Sequence, residues 1–289
     1  MDGVEASLVE HQGPRLMEQG RRFYKMSGSG NDFVFFDLRD GPAGGLERAE
    51  SVSAMCERRM GIGADGVVFL QPGSDREFTI RYYNSDGSLG ELCGNASLCS
   101  VRLATDLGLV AAGELAISTD AGTLAARISD GLPEIDLAPV AEVVPVLETI
   151  PRLPRESRLG FVRAGVPHVV IVDSGVETAD VLGRGSKIRR DRSLRDGANV
   201  NFLSPDGDGW AIRTYERGVE GETLACGTGA VASGILLTEW GLAASPVRLR
   251  TRSGKHLFVR TSRRGDQWFP SLRGSGELVF SGELGAAFG

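Results

Sequence analysis

Only four cysteines and three histidines occur in 289 residues. Four thiols do not staple a secreted scaffold of this length. No two of them stand in a C-x₂₋₄-C spacing, so no zinc or other metal site is expected. Apolar runs are short, and none approaches the roughly 18 residues of a membrane helix. Positive charge is in deficit as well. Thirty-two basic against 38 acidic residues leave a net charge of −6, which argues against a nucleic-acid binder. The first residues lack a basic stretch running into an apolar one, so no secretory signal is expected and the default reading is a reduced, cytoplasmic protein.

Glycine, by contrast, is abundant: 40 residues, about twice the usual share. It follows no third-residue period, which excludes a collagen-like chain. The 41% hydrophobic content is too high for a disordered one. Excess glycine means many turns, or backbone that approaches a ligand closely. Residues 1–21 are polar and without period, and read as an extension. Short apolar strands follow at Phe33–Asp37, Gly66–Leu70, Phe78–Tyr83, Leu115–Ser118, Leu124–Ile128 and Glu134–Leu137, bounded by turn residues. Helical patterns cover Glu47–Met60, Asn95–Leu107 and Thr228–Trp240, the last ending at Gly241 as a C-cap. Pro139, Pro145, Pro151 and Pro154 mark residues 138–160 as a connector. The basic run Lys187–Arg195 reads as a solvated loop or helix face.

The chain also repeats itself. Arg81-Tyr-Tyr-Asn84, then Cys93-Gly94-Asn95, matches Arg213-Thr-Tyr-Glu216, then Cys226-Gly227-Thr228. In each case a strand ends in a polar residue, a glycine-rich turn follows, and Cys-Gly-polar opens a helix. Asp106-Leu-Gly-Leu109 matches Glu239-Trp-Gly-Leu242, and Ser118–Gly122 matches Arg250–Gly254. A cysteine at a helix start lies in the positive end of the helix dipole, which lowers its pKa. The free N–H groups of Gly94, Asn95, Gly227 and Thr228 can bind an anion. Two such starts facing each other would hold one carboxylate between two thiols. One thiolate removes the α-proton from one face, and the opposite thiol returns one to the other. Cys56 and Cys99 read as small buried hydrophobes. A redox disulfide between Cys93 and Cys226 is the rival use of the pair.

These motifs resemble the diaminopimelate epimerase family. Lys25-Met-Ser-Gly-Ser-Gly-Asn-Asp-Phe33, Gly61-Ile-Gly-Ala-Asp-Gly66, Asn84-Ser-Asp-Gly-Ser88 with Cys93-Gly-Asn95, Gly165-Val-Pro-His168, Asn199-Val-Asn-Phe202 and Tyr215-Glu-Arg-Gly218 with Ala225-Cys-Gly-Thr-Gly229 stand in the family's order. The resemblance runs from about Phe23 to Leu284. It implies an α/β fold of two pseudo-symmetric domains, each a mixed sheet wrapped round a central helix. The domains would comprise residues 22–137 with 272–289, and residues 138–271.

The resemblance further implies that Cys93 and Cys226 are acid and base, with His168 and Glu216 beside them setting their protonation. Gly94, Asn95, Gly227 and Thr228 would hold the reacting carboxylate. Asn31, Asn84, Asn199, Glu216 and Arg217 would hold the rest of the substrate. The implied reaction interconverts LL- and meso-2,6-diaminopimelate without a cofactor, in lysine and peptidoglycan biosynthesis, in a homodimer. Four positions depart from the motifs. Ala96 and Leu98 replace the usual glycine and arginine after Cys-Gly-Asn. Gly66 stands where some members have glutamine, and Val166 where some have asparagine. The alternatives are a related racemase acting on histidine, proline or hydroxyproline, and a non-catalytic homologue.

Overall fold

The computed structural model describes residues 20–90, 93–111 and 113–285. Residues 1–19 of the expected extension lie outside the described residues, as do Glu91 and Leu92 between the first strand signature and Cys93. The described chain is a mixed α/β structure in which one series of elements occurs twice. The first series is β1 (Arg22–Gly28), β2 (Asn31–Asp37), α1 (Ala49–Cys56), β3 (Gly66–Pro72), β4 (Glu77–Asn84), β5 (Leu89–Gly90), α2 (Gly94–Asp106), β6 (Leu115–Thr119), β7 (Gly122–Ser129), β8 (Leu132–Asp136) and β9 (Val143–Val144). The second is β10 (Glu156–Ala164), β11 (Val166–Asp173), α3 (Val181–Arg189), β12 (Asn199–Asp206), β13 (Gly209–Glu216), β14 (Gly221–Thr223), α4 (Gly227–Glu239), β15 (Val247–Arg250), β16 (His256–Arg264), β17 (Gln267–Gly274) and β18 (Glu277–Glu283).

The pairings repeat with the elements. β2–β3 and β4–β6 are parallel, as are β11–β12 and β13–β15. The hairpin neighbours β1–β2, β3–β4, β6–β7 and β7–β8 are antiparallel, like their counterparts. The equivalent strands β8 and β17 pair antiparallel with each other and join the two sheets. Each series then gives its last strand away: β9 pairs with β10, and β18 with β1. The result is two pseudo-symmetric domains, each a mixed sheet round one central helix.

Those helices are α2 and α4. Both are 13 residues long, and nearly every side chain from Asn95 to Ala104 and from Gly229 to Leu237 is buried. A helix covered on all sides needs small and apolar residues all round, and hydroxyls that find internal partners. Ser97 and Ser100 donate to the carbonyls of Cys93 and Ala96, and Thr238 donates to that of Gly234. Both helices end alike, at Gly108 (φ 67°) and Gly241 (φ 68°), in the left-handed conformation that favours glycine.

Three elements differ from the sequence reading. The helix read over Glu47–Met60 spans only Ala49–Cys56, because Glu57 turns extended (ψ 126°). The connector is shorter than 138–160: Glu156 already begins β10, and Val143–Val144 forms a two-residue edge strand just before Pro145. The basic run is divided, with Lys187 and Arg189 closing α3 and the remainder in turns.

Candidate active site

Cys93 and Cys226 are the N-cap residues of the two central helices. Their backbones are nearly superimposable, with φ −127° and ψ 114° at Cys93 and φ −136° and ψ 110° at Cys226. The helix starts abut. A Cβ placed on Gly227 would lie 4.0 Å from Gly94 Cα and 3.7 Å from Asn95 Oδ1. One side chain, Leu272 of β17, would stand 3.2 Å and 3.1 Å from Cβ atoms at Gly94 and Gly227. A side chain at either glycine would press on Leu272, while the opposite helix start would stand no closer than ordinary contact. All four cysteines are free thiols. Cys56 and Cys99 are buried in the core, as expected.

The expected lowering of both thiol pKa values is reversed. Burial pushes Cys93 up to about 11, against the opposing hydrogen bonds from the N–H groups of Ala96 and Asn95. Burial likewise pushes Cys226 up to about 12, with the Glu216 charge adding to it. The Thr228 hydroxyl, 3.6 Å from Cys226 Sγ, and the Gly229 N–H act the other way. Desolvation outweighs the helix-terminal donors here. Glu216 is itself raised, mainly by burial, with the Thr223 hydroxyl opposing. Burial, aided by the Arg217 charge, holds His168 down to about 3.

The other candidates fall into two groups. Beside α2, Asn31 donates to Asp65 (3.0 Å) and accepts from Asn95 Nδ2 (2.7 Å). Arg58 spans Asp65 and Asp32, and Lys25 reaches Asp32 from the buried side. Asn31, Asn84 and Glu216, together with Arg58, Asp65 and Glu222, line a cleft of ≈ 460 Å³, which Asn31 connects to α2 through its bond with Asn95. The second group lies apart from that lining. His168 on β11 pairs with Asn199 on β12, and Asn199 Oδ1 accepts the Arg217 N–H (2.7 Å). Arg217 Nη1 donates to the Asp196 carbonyl (2.8 Å). The structure thus divides the predicted set between the cleft and the His168 side.

Reasoning from motifs passed over Asp65, although it stands inside Gly61–Gly66. It also passed over Asn201, which shares a strand face with Asn199 by two-residue alternation. Tyr82 carried no signal. Its ring fills the space that side chains at two glycines would take: Cε2 would lie 2.6 Å from a Cβ on Gly66, and Cδ1 2.5 Å from one on Gly90. Gly66 is therefore the residue that this tyrosine requires. Ala96 and Leu98 are fully buried. Leu98 Cδ1 packs 3.3 Å from where a Gly274 Cβ would stand, in an apolar seam between α2 and β17. No charged side chain is needed there.

A family model for diaminopimelate epimerase matches residues 23–138 and 160–265. A protein of Gemmatimonas aurantiaca named diaminopimelate epimerase is 45% identical over 273 residues, covering 91% of this chain and 98% of that protein. Another of that name, from Methanocella arvoryzae, is 36% identical over 92% of this chain and 98% of its own length. Among solved structures, a hydroxyproline epimerase from Agrobacterium vitis superposes with a TM-score of 0.66 at 14% identity, over 93% of both chains. A phenazine biosynthesis protein of the PhzF family from Bacillus anthracis gives 0.68 at 13%, over 93% of this chain and 99% of that one. At such identities the two structures speak for the fold alone.

Proposed function

The chain belongs to the diaminopimelate epimerase family, and from that membership we propose that Cys93 and Cys226 exchange the α-proton of diaminopimelate. The chain is an isomerase. Its reaction interconverts the LL and meso forms on the way to lysine and peptidoglycan. The observation that carries the reading is the pair of cysteine N-caps on two helices whose first glycines meet.

The substrate carboxylate lies across the N–H groups of Gly94, Asn95, Gly227 and Thr228, where two helix dipoles favour a negative charge. One thiolate takes the proton from the α-carbon. The electrons of the broken C–H bond pass into the carboxylate, where the N–H groups stabilise them. The thiol on the other face then gives up its proton to the same carbon, inverting it. Both thiols are neutral in the protein alone, since burial holds them near 11 and 12. Ionising one, with its proton released to solvent as the substrate enters, is favoured by a positive neighbour, and the α-ammonium of the bound amino acid is such a charge. Of the carboxylates lining the cleft, Asp65 is paired with Arg58 and Glu222 with Arg213. That leaves Glu216, which has no ion-pair partner among the described residues, for the ammonium group at the distal end.

The test is α-proton exchange in D₂O with reduced protein. LL- and meso-diaminopimelate should interconvert with deuterium uptake at one centre, and histidine, proline and hydroxyproline should stay unlabelled. Cys93→Ser and Cys226→Ser should each lower turnover at least a hundredfold without loss of the fold by circular dichroism. Full activity of either variant would remove the two-thiol mechanism, and exchange with the single amino acids alone would move the chain to a sister racemase.

The reading includes a cytoplasmic homodimer. Supporting it, β18 pairs with β1 alone among the described strands and exposes Leu278, Val279 and Phe280 in sequence. Among the described residues, no helix is long and apolar enough to cross a membrane. The proposed division sets residues 22–137 with 272–289 against residues 138–271; the return of β18 to β1 supports it, while its later boundary falls inside β17, which ends at Gly274.

A further inference from the structure

His168 is fully buried, yet its Nε2 has no hydrogen-bond partner among the described residues. An unpaired polar atom at such depth is costly, and native proteins keep one where it serves a task. Which atom of the ring bears the proton is decided by its other nitrogen. Nδ1 faces Asn201 Nδ2 at 3.2 Å.

The orientation of that amide is fixed independently of the histidine. Asn201 Nδ2 also faces the Val169 carbonyl at 3.2 Å, and Oδ1 accepts from the Thr214 hydroxyl at 3.0 Å. Turning the amide over would set its oxygen against the Val169 carbonyl, an acceptor with no proton to give. Nδ2 must therefore be the atom that meets His168. Nδ1 is then an acceptor, and in a neutral imidazole the proton belongs on Nε2. The same asparagine touches the thiol side of the site. Oδ1 occupies the place that a Gly229 side chain would take, and the Cβ position there lies 3.3 Å from Cys226 Cβ.

We infer that Asn201 is a positioning residue for the reaction: its amide holds His168 as the Nε2–H tautomer, so that on the Cys226 side of the site the histidine acts as a fixed hydrogen-bond donor and not as a proton acceptor. A bare Nε2 would be needed to draw a proton from a thiol or from carbon, and this geometry denies it. A preorganised N–H instead favours whichever neighbour carries negative charge, thiolate or substrate carboxylate. The surroundings agree. Val162 on β10 and Asn199 on β12 are the register partners of His168 in the sheet. Besides burial, the charge that bears on it is that of Arg217, which also favours the neutral form.

The catalytic consequence rests on the two-thiol reading, but the tautomer does not, so the two can fail separately. Full-length protein labelled with ¹⁵N-histidine, assigned by comparison with His168→Gln, reports the protonated nitrogen without turnover. The expected spectrum shows Nδ1 unprotonated and Nε2 protonated, unchanged from pH 5 to 9. A proton on Nδ1, or a titration within that range, overturns the inference in the wild-type protein with no variant needed. Asn201→Asp replaces the donor with an acceptor and should move the proton to Nδ1. Turnover should then fall about a hundredfold with KM changed by less than about threefold, since the substrate contacts stand. A moved proton with unchanged kcat would show that the tautomer is structural only.

Discussion

At the scale of single residues, the site is governed by burial more than by charge. The His168 ring is held neutral down to about pH 3 by desolvation. Unfolding releases it to the ordinary value near 6.5. Between those two pH values the unfolded chain binds a proton that the native protein refuses. Stability from this group is therefore complete above about 6.5 and falls as pH is lowered toward 3. The slope approaches about 1.4 kcal/mol per pH unit for one proton. Glu216, raised by burial, works in the opposite direction, because the native state then holds a proton more firmly. The comparison of His168→Gln with wild type isolates the histidine. Urea unfolding from pH 7 to 5 should show the wild-type protein losing stability faster than the variant. Parallel curves would mean that His168 takes up its proton equally in the native and unfolded states, and that burial does not hold it neutral.

At the scale of elements, two helices are fixed at both ends by the same residue kinds: cysteine and glycine at the start, left-handed glycine at the close. That arrangement was legible in the sequence, because Cys93-Gly94 and Cys226-Gly227 recur in a duplicated frame and Gly241 marks a stop. Less legible was what lies against them. Leu272 is far from Gly94 along the chain, and nothing local to either announces their contact. Tyr82 likewise explains Gly66 only once β3, β4 and β5 lie side by side. The thiol pKa values went astray for the same reason: the dipole is a local property, while burial belongs to the assembled sheet.

The meeting of the helix starts predicts a separation of stability from activity. In Gly227→Ala the new methyl would meet Leu272 Cδ2 at 3.1 Å, the end of a side chain that can shift by a few tenths of an ångström. Alanine also favours the helix by up to about 1 kcal/mol over glycine. The melting temperature should therefore move by no more than a few degrees. The two N-termini need not part, since Asn95 Oδ1 and Gly94 Cα would stand 3.7 Å and 4.0 Å from the new methyl, but the methyl crowds the N–H groups proposed to hold the carboxylate, and displacing that group by about 1 Å costs about a hundredfold in turnover. Thermal unfolding with a stopped-time exchange assay checks both. A variant of full activity would show that the carboxylate does not lie against Gly227.

At the scale of the whole molecule, the duplication leaves an asymmetry at its edges. Each half surrenders its last strand to the other, but β9 is two residues long and β18 is seven. Soluble proteins blunt long free edges with charge, proline or short strands. β18 carries glutamates only at its ends, Glu277 and Glu283, while Leu278, Val279 and Phe280 between them are 53%, 57% and 47% exposed. The register against β1 slips at this point, with Phe280 opposite Lys25 and Leu278 opposite Met26. Val279 is thus the extra residue of a bulge. A twofold copy could cover this edge with the same strand in the opposite direction. Replacing Leu278 and Val279 together by lysine should leave folding within about 0.5 kcal/mol per site, since both are exposed. It should also place like charges across the twofold contact and so separate the subunits. Light scattering at micromolar concentration should give twice the chain mass for wild type and the single mass for the double variant. A monomeric wild type, or a variant still dimeric, would assign the apolar edge no part in association.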